Sequence, residues 1–248
     1  MSSKLYKKAS FAFLIFAFWI AVWYLLALLI NNKFLLPTPH STLFALIDLT
    51  KSKLFYKAIL YSFLRVFFGV IFGIVISIFL ALISYKFSWI RELLSPLITI
   101  VKATPVVTFI TLLWIMLSGN TLTVLIAILM VVPIVWQNLL NGFDAIPKEL
   151  SELCDVFEFS KRKRFRILIM PILMNYFFPA VIAAIGLAWK AEIAAEIIAY
   201  TKNSIGQHIY DARYHLFTDE VFAWVSVIVC FSIILEVLAK KLLRRFWV

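Results

Sequence analysis

Lys190, Glu192 and Glu196 sit inside a 30-residue stretch, Pro171 to Tyr200, that carries almost nothing else polar. Glu192 and Glu196 are four residues apart and so share one face of a helix, where two carboxylates repel unless cations or water attend them. Lys190 is adjacent in sequence but points elsewhere. Arg65 and Lys102, which fall in other apolar stretches, are the candidate partners. A charge at the centre of a membrane helix costs roughly 2.5–3.5 kcal/mol on insertion scales, so such groups need a reason to be there. Two reasons stand side by side: a polar, water-filled pathway, or structural ion pairs between helices and groups near the outer interface. Covalent chemistry is a poor third. His40, His208 and His215 are scattered outside the apolar stretches, and Cys154 and Cys230 have neither metal-like nor paired spacing. No nucleophile–base pair and no metal set is at hand, which weighs against an intramembrane enzyme. No cofactor is implied, and the absence of a GxxxxGK[ST] loop leaves the chain without an ATP site of its own.

The elements that must hold these charges are long apolar runs. Of 248 residues, 64% are hydrophobic and 15% charged, a balance that only a lipid environment accommodates. Phe11 to Ile30 is 20 residues long, about 30 Å of helix, and ends in Asn31-Asn32-Lys33, so it reads as a retained first span rather than a cleaved signal. Further spans are expected near residues 58–84, 97–117, 122–140, 171–200 and 221–239. Gly69 and Gly73 allow close packing in the second, and Pro105 predicts a kink or broken turn in the third. Residues 118–121 read as a tight turn, and residues 33–57 include a short segment able to lie along the interface.

The net charge of +11 would suit nucleic acid, but its distribution follows the membrane rule. With the N-terminus inside, fifteen Lys and Arg fall on the inner side, among them Lys4, Lys7, Lys8, Arg244 and Arg245, against six outside. Both termini in the cytosol require an even number of spans. The expected fold is therefore all-α: a single polytopic domain, residues 1–248, with about six transmembrane helices and no nucleic-acid partner.

Between spans four and five the chain leaves the membrane for residues 141–170. Ile146, Leu150, Leu153, Cys154 and Phe157 recur with helical period and form one apolar face, opposite Lys148, Glu149, Glu152 and Asp155. Then come Lys161-Arg162-Lys163-Arg164 and, at re-entry, Pro171. Such a helix lies on lipid headgroups or docks into a groove of a cytosolic partner. Its acidic face, which anionic lipid would repel, favours the protein partner.

This loop resembles the EAA motif of ABC-importer permeases, with Glu152 at the motif's Glu, Leu168 at its Ile, Met170 at its Leu and Pro171 at its Pro. Leu153 and Cys154 replace the two Ala, and Glu158 replaces the Gly at the bend between two short helices. Leu36-Pro37-Thr38-Pro39, Ser62-Phe63-Leu64-Arg65-Val66 with Gly69, Lys102-Ala103-Thr104-Pro105 through Trp114 and Gly119, and Ala188-Trp189-Lys190 to Ala195-Glu196 resemble, in order, elements of the nitrate/sulfonate/taurine branch of that family.

The resemblance implies an inner-membrane permease subunit that forms half of a translocation path with a second permease subunit, a homodimer being the simplest case. Each subunit would dock a cytosolic ABC ATPase through Leu150, Glu152, Leu153, Cys154, Phe157, Glu158 and Pro171. An extracytoplasmic binding protein would deliver the solute. Lys102, Pro105, Lys190, Glu192 and Glu196 are the candidates for the path. A stand-alone channel or secondary transporter would explain the spans and buried charges but not the Glu152 loop. Nitrate, sulfonates, taurine and vitamin precursors all remain open as cargo.

Overall fold

In a computed structural model the protein is described over residues 2–117 and 119–245, with side chains at residue 11 and from 13 to 241. Every regular element among the described residues is helical. α1 (Ser2–Ile30) is followed by α2 (Pro39–Thr50), which starts with Thr38 as N-cap and Pro39 in the first turn, where its missing N–H costs nothing. The short segment expected at the interface is this helix, and it packs on the last helix of the chain. α3 (Lys53–Lys86) is 34 residues long, about 51 Å, and so begins well before the expected membrane entry at residue 58.

The third apolar run does not cross as one rod. α4 (Ser88–Ala103) and α5 (Val106–Met116) meet at an angle of 103°. The break falls at Thr104-Pro105, because Pro105 cannot donate into the helix and disfavours helical backbone at the residue before it. Thr104 accordingly has ψ 131°. Arg91 and Glu92, in the gap between the second and third expected spans, lie within α4, where Arg91 grips Asp144 through two hydrogen bonds of 2.9 and 2.6 Å. Residues 119–121 are not a separate turn but the start of α6 (Gly119–Asp144); Ser118 lies outside the described residues.

After α6 come the short α7 (Lys148–Val156) and α8 (Lys161–Arg164), then a π-turn, Phe165–Ile169, that runs into α9 (Met170–Ile198). The π-turn is a response to Pro171. Widening the turn lets the Met170 N–H reach the Phe165 carbonyl and removes the clash that a proline ring imposes on the preceding turn. The basic cluster expected in the loop is helical and leads straight into α9. α10 (Ile205–Tyr214) and α11 (Thr218–Arg245) complete the chain. Among the described residues, five helices are long and apolar enough to cross a membrane, and six crossings result if α4 and α5 count as one.

The core is the trio α3–α6–α9, in which α3 and α6 run parallel and α9 runs antiparallel to α6. Its closest seam is α3 against α6, where a Cβ built on Gly69 would lie 2.5 Å from Ala127 Cβ and one on Gly73 would lie 2.7 Å from Val131 Cβ. Further along, Trp136 donates to Ser84 at 3.2 Å and Tyr85 stacks on Phe143 at 4.1 Å. Trp189 and Trp224 are fully buried, so they serve as packing rather than as an interfacial belt, whereas Trp19 and Trp89 are exposed. His208, outside the apolar stretches, is half-buried and stacks on Trp224 at 5.1 Å.

Because the Gly69–Ala127 contact has no slack, Gly69→Leu is expected to destabilise the helix bundle by about 1–3 kcal/mol through overpacking. A clear fall in the thermal midpoint of the detergent-purified protein, with Phe72→Leu on the exposed face unaffected, is the measurement that checks it.

Candidate functional site

Two groups of residues carry function-like geometry, one deep in the helical core and one on the α7–α8 loop. In the core, Arg65 of α3 and Glu196 of α9 form an ion pair of 2.7 Å, with the carboxylate fully buried. The periodicity of α3 puts Ser62 on the same face as Arg65, and its hydroxyl lies 2.7 and 2.9 Å from the two oxygens of Glu196. The Gly206 N–H at the start of α10 donates to Glu196 Oε2 at 3.0 Å, and the Ile205 N–H donates to Ser62 Oγ at 3.1 Å. A carboxylate at the N-terminus of a helix is favoured by the orphan N–H groups and the helix dipole. Arg65 completes its own set with Asn120 Oδ1 at 2.8 Å and the Lys202 carbonyl at 3.0 Å. One ion pair thus ties α3, α6, α9 and α10 together.

Glycine is required at 206 for a steric reason. A Cβ there would run into the Cβ of Glu196 and lie 2.6 Å from the Glu196 carbonyl carbon. α10 is therefore pressed directly onto the last turn of α9. That turn closes with Tyr200 at φ 49° and the Thr201 N–H bonded to the Glu196 carbonyl at 3.0 Å.

The five residues expected along a path are not brought into one site. Glu192 and Glu196 are enclosed by protein, and Glu192 has no hydrogen-bond partner at either oxygen. Lys102, Pro105 and Lys190 are exposed. Lys190 lies in a groove between α9 and α11 with Gly186, Leu187, Glu236 and Lys240. Lys102 takes no part in the Glu196 pair; of the two candidate partners, Arg65 does. Ser62, Asn120 and Gly206 complete the cluster. The Ser62/Arg65 spacing was visible in the sequence, whereas nothing local marks Asn120 or Gly206 as a neighbour of Glu196.

On the loop, α7 points Cys154 inward while Leu150, Leu153, Val156 and Phe157 are exposed, the last at 67%. Glu149, Glu152 and Glu158 are also exposed. The apolar face is thus split: Ile146 and Cys154 hold the helix to the protein, and the rest face outward. Arg164 fastens α8 back onto α7 through Asp155 at 2.7 Å and through Ser151 Oγ. Lys163 sits 3.7 Å from the Phe159 ring centroid. Leu168 is buried and Pro171 exposed.

The α7 end shows why a glycine suits position 158. Phe159 N–H bonds to the Cys154 carbonyl at 2.9 Å and Glu158 N–H to the Asp155 carbonyl at 3.0 Å, the double bond pattern of a Schellman cap. Such a cap needs a left-handed residue, and Glu158 supplies it with φ 48°. The bend is present without glycine.

With this geometry in place, the relatives are informative. The sequence profile described as "Binding-protein-dependent transport system inner membrane component" matches residues 73–248. The chain belongs to this family. Among curated permeases it is 31% identical to the bicarbonate transport system permease protein CmpB of Synechococcus elongatus over 105 residues, 41% of this chain and 38% of that one. It is 25% identical to the taurine transport system permease protein TauC of Escherichia coli over 157 residues, 63% of this chain and 57% of that one. The nitrate import permease protein NrtB of Synechococcus elongatus is 26% identical over 123 residues, 48% and 43% of the two chains. These matches place the permease in the expected nitrate/sulfonate/taurine branch, and in each the aligned part spans less than two thirds of the relative.

Among solved structures, the inward-facing MetNI methionine ABC transporter superposes with a TM-score of 0.65 at 13% identity, covering 77% of this chain and 95% of that one. An amino acid ABC transporter solved with histidines gives 0.64 at 17% identity, covering 82% and 96%. At these identities the likeness is one of fold alone.

Two outcomes follow for the permease. Arg65→Met leaves the Glu196 carboxylate buried without its cation and is expected to cost about 3–5 kcal/mol, read as a loss of folded protein during SDS titration, with Arg65→Lys losing less. Glu158→Gly removes a left-handed strain of roughly 1–2 kcal/mol, offset by about 0.5–1 kcal/mol of backbone entropy. A small rise in the stability of the α7–α8 loop, measured by hydrogen exchange at Phe157–Phe159, is the expected sign.

Proposed function

We propose that the chain is the transmembrane permease subunit of an ATP-driven importer for a small solute. Two copies would line the path, each engaging a cytosolic ABC ATPase, with an extracytoplasmic binding protein supplying the cargo. The observation that carries this reading is the α7 tip. Leu150, Leu153, Val156 and Phe157 are exposed together beside Glu149 and Glu152, on a short helix fastened to α8 by Arg164. An apolar patch ringed by carboxylates and held rigid suits a groove on a protein better than an anionic lipid surface.

The α7–α8 loop then sits in the cytosol. α11 packs antiparallel to α9, Trp189 bonding to the Ile228 carbonyl at 3.3 Å and Lys240 lining the same groove as Pro179, so its C-terminal end lies toward the loop side. α1 meets the start of α11 through the Trp23–Phe222 stack at 5.7 Å, which sends its N-terminus to the same side. Both termini are assigned to the cytosol. Force from the ATPase enters at α7, crosses the Arg164 fastening and reaches α9 as a rigid-body motion, since α8, the π-turn and α9 are one continuous helical rod. The cargo is assigned only as a small solute of the kind carried by this branch, its identity being read by the binding protein.

The test is co-purification from native membranes. Wild type is expected to bring down an ATPase, and Glu152→Ala combined with Phe157→Ala to lose most of it while remaining folded. A solitary protein that carries solute across liposomes without any ATPase would replace the importer reading with that of a channel or secondary transporter.

A further inference from the structure

Glu192 is the buried acid of the core that the ion-pair cluster does not absorb. It is fully buried, yet neither carboxyl oxygen has a hydrogen-bond partner. Burying a polar group without a partner costs free energy, and a native fold that keeps one needs an account of it.

Its position supplies the account. Glu192 lies one turn before Glu196 on the same face of α9, about 6 Å along the axis. Among the described residues, Arg65 is the only buried cation. An arginine side chain spans that distance by changing rotamers, without any sliding of α9 against the tightly packed α6. Arg65 is also anchored on the α3–α6 side, since its Nε donates to Asn120 at the start of α6. Its bonds to Glu196 and to the Lys202 carbonyl, by contrast, depend on the α9–α10 junction.

We propose that Glu192 is the second landing site for the Arg65 guanidinium, making Arg65 a two-position latch on α10. In the position described here Arg65 holds Glu196, and Glu196 in turn holds the Gly206 N–H at the N-terminus of α10. When α10 lifts from α9, the Lys202 carbonyl and Gly206 N–H withdraw together, and the guanidinium drops one turn to Glu192. The guanidinium keeps a carboxyl group in both positions, so the latch opens without leaving it bare in the core, and Glu196 retains the Ser62 hydroxyl as its donor. This rests on the importer reading only for what drives the lift; the two acceptors are a property of the chain.

Two measurements test it. In the isolated chain, SDS unfolding of Glu192→Gln, Glu196→Gln and the double variant forms a cycle. Glu192→Gln is expected to match wild type, Glu196→Gln to be cushioned by Glu192, and the double variant to lose at least about tenfold more folded population than the product of the singles. Additive losses would overturn the proposal and leave Glu192 as an inert buried acid.

In the complex with its co-purified ATPase, hydrogen exchange over residues 203–208 is compared before and after trapping with ATP and vanadate. Wild type is expected to exchange at least about tenfold faster when trapped, Glu192→Gln to stay protected, and Glu196→Gln to be fast in both states. Equal opening in wild type and Glu192→Gln would overturn the latch. A preparation that neither binds an ATPase nor responds to ATP would sink the importer reading instead, while the unfolding cycle still decides whether Glu192 receives Arg65.

Discussion

A charge placed where water is scarce must find its partner within the protein, and the arrangement around Arg65 follows from that constraint. Its guanidinium needs a carboxylate, an amide oxygen and a carbonyl, and each comes from a different part of the chain: Glu196, Asn120 and Lys202. Satisfying one side chain therefore sets the height of α9 against α3, the start of α6 and the seat of α10. Apolar packing alone is indifferent to such registers, because one leucine-rich helix face slides over another at little cost in lipid. The ion pair makes the register specific, and Gly69, Gly73 and Gly206 let the backbones approach closely enough for it to form.

The α7–α8 loop solves a different problem with the same economy. A nine-residue helix is too short to be stable by itself. It is held by a buried cysteine on one side and Arg164 on the other, which frees its remaining apolar residues to face outward. Its end is closed by a left-handed residue, as are the ends of α9 and α10, where Tyr200 and Leu216 occupy the equivalent place with φ of 49° and 60°. In a chain with 6 glycines, hydrogen-bond closure has been kept at these caps and the steric ideal has not.

The spans, the break at Pro105, the amphipathic α7 and the family were legible in the sequence because each rests on a local signal: a run of apolar residues, a missing N–H, a helical period, a motif. What was not legible depends on juxtaposition. Glu196 and Arg65 were both singled out, but Lys102 stood as an equal partner, since nothing local says which cation the fold brings to α9. Gly206 reads as an ordinary loop glycine until the last turn of α9 is laid against it. Arg91 falls in the gap between two expected spans, and only Asp144, distant in sequence, shows what it holds. The single apolar face assigned to α7 hid a division of labour that burial alone exposes.

The bend at Thr104-Pro105 bears on how the protein is made. α4 and α5, of 16 and 11 residues, are each shorter than a self-sufficient membrane segment, and the 103° turn between them interrupts the run of backbone hydrogen bonds that a lone helix in lipid depends on. α5 meets both α6 and α9, so the bent pair reaches its final packing only after α9 is in place, and that helix is synthesised some 65 residues after the bend it completes.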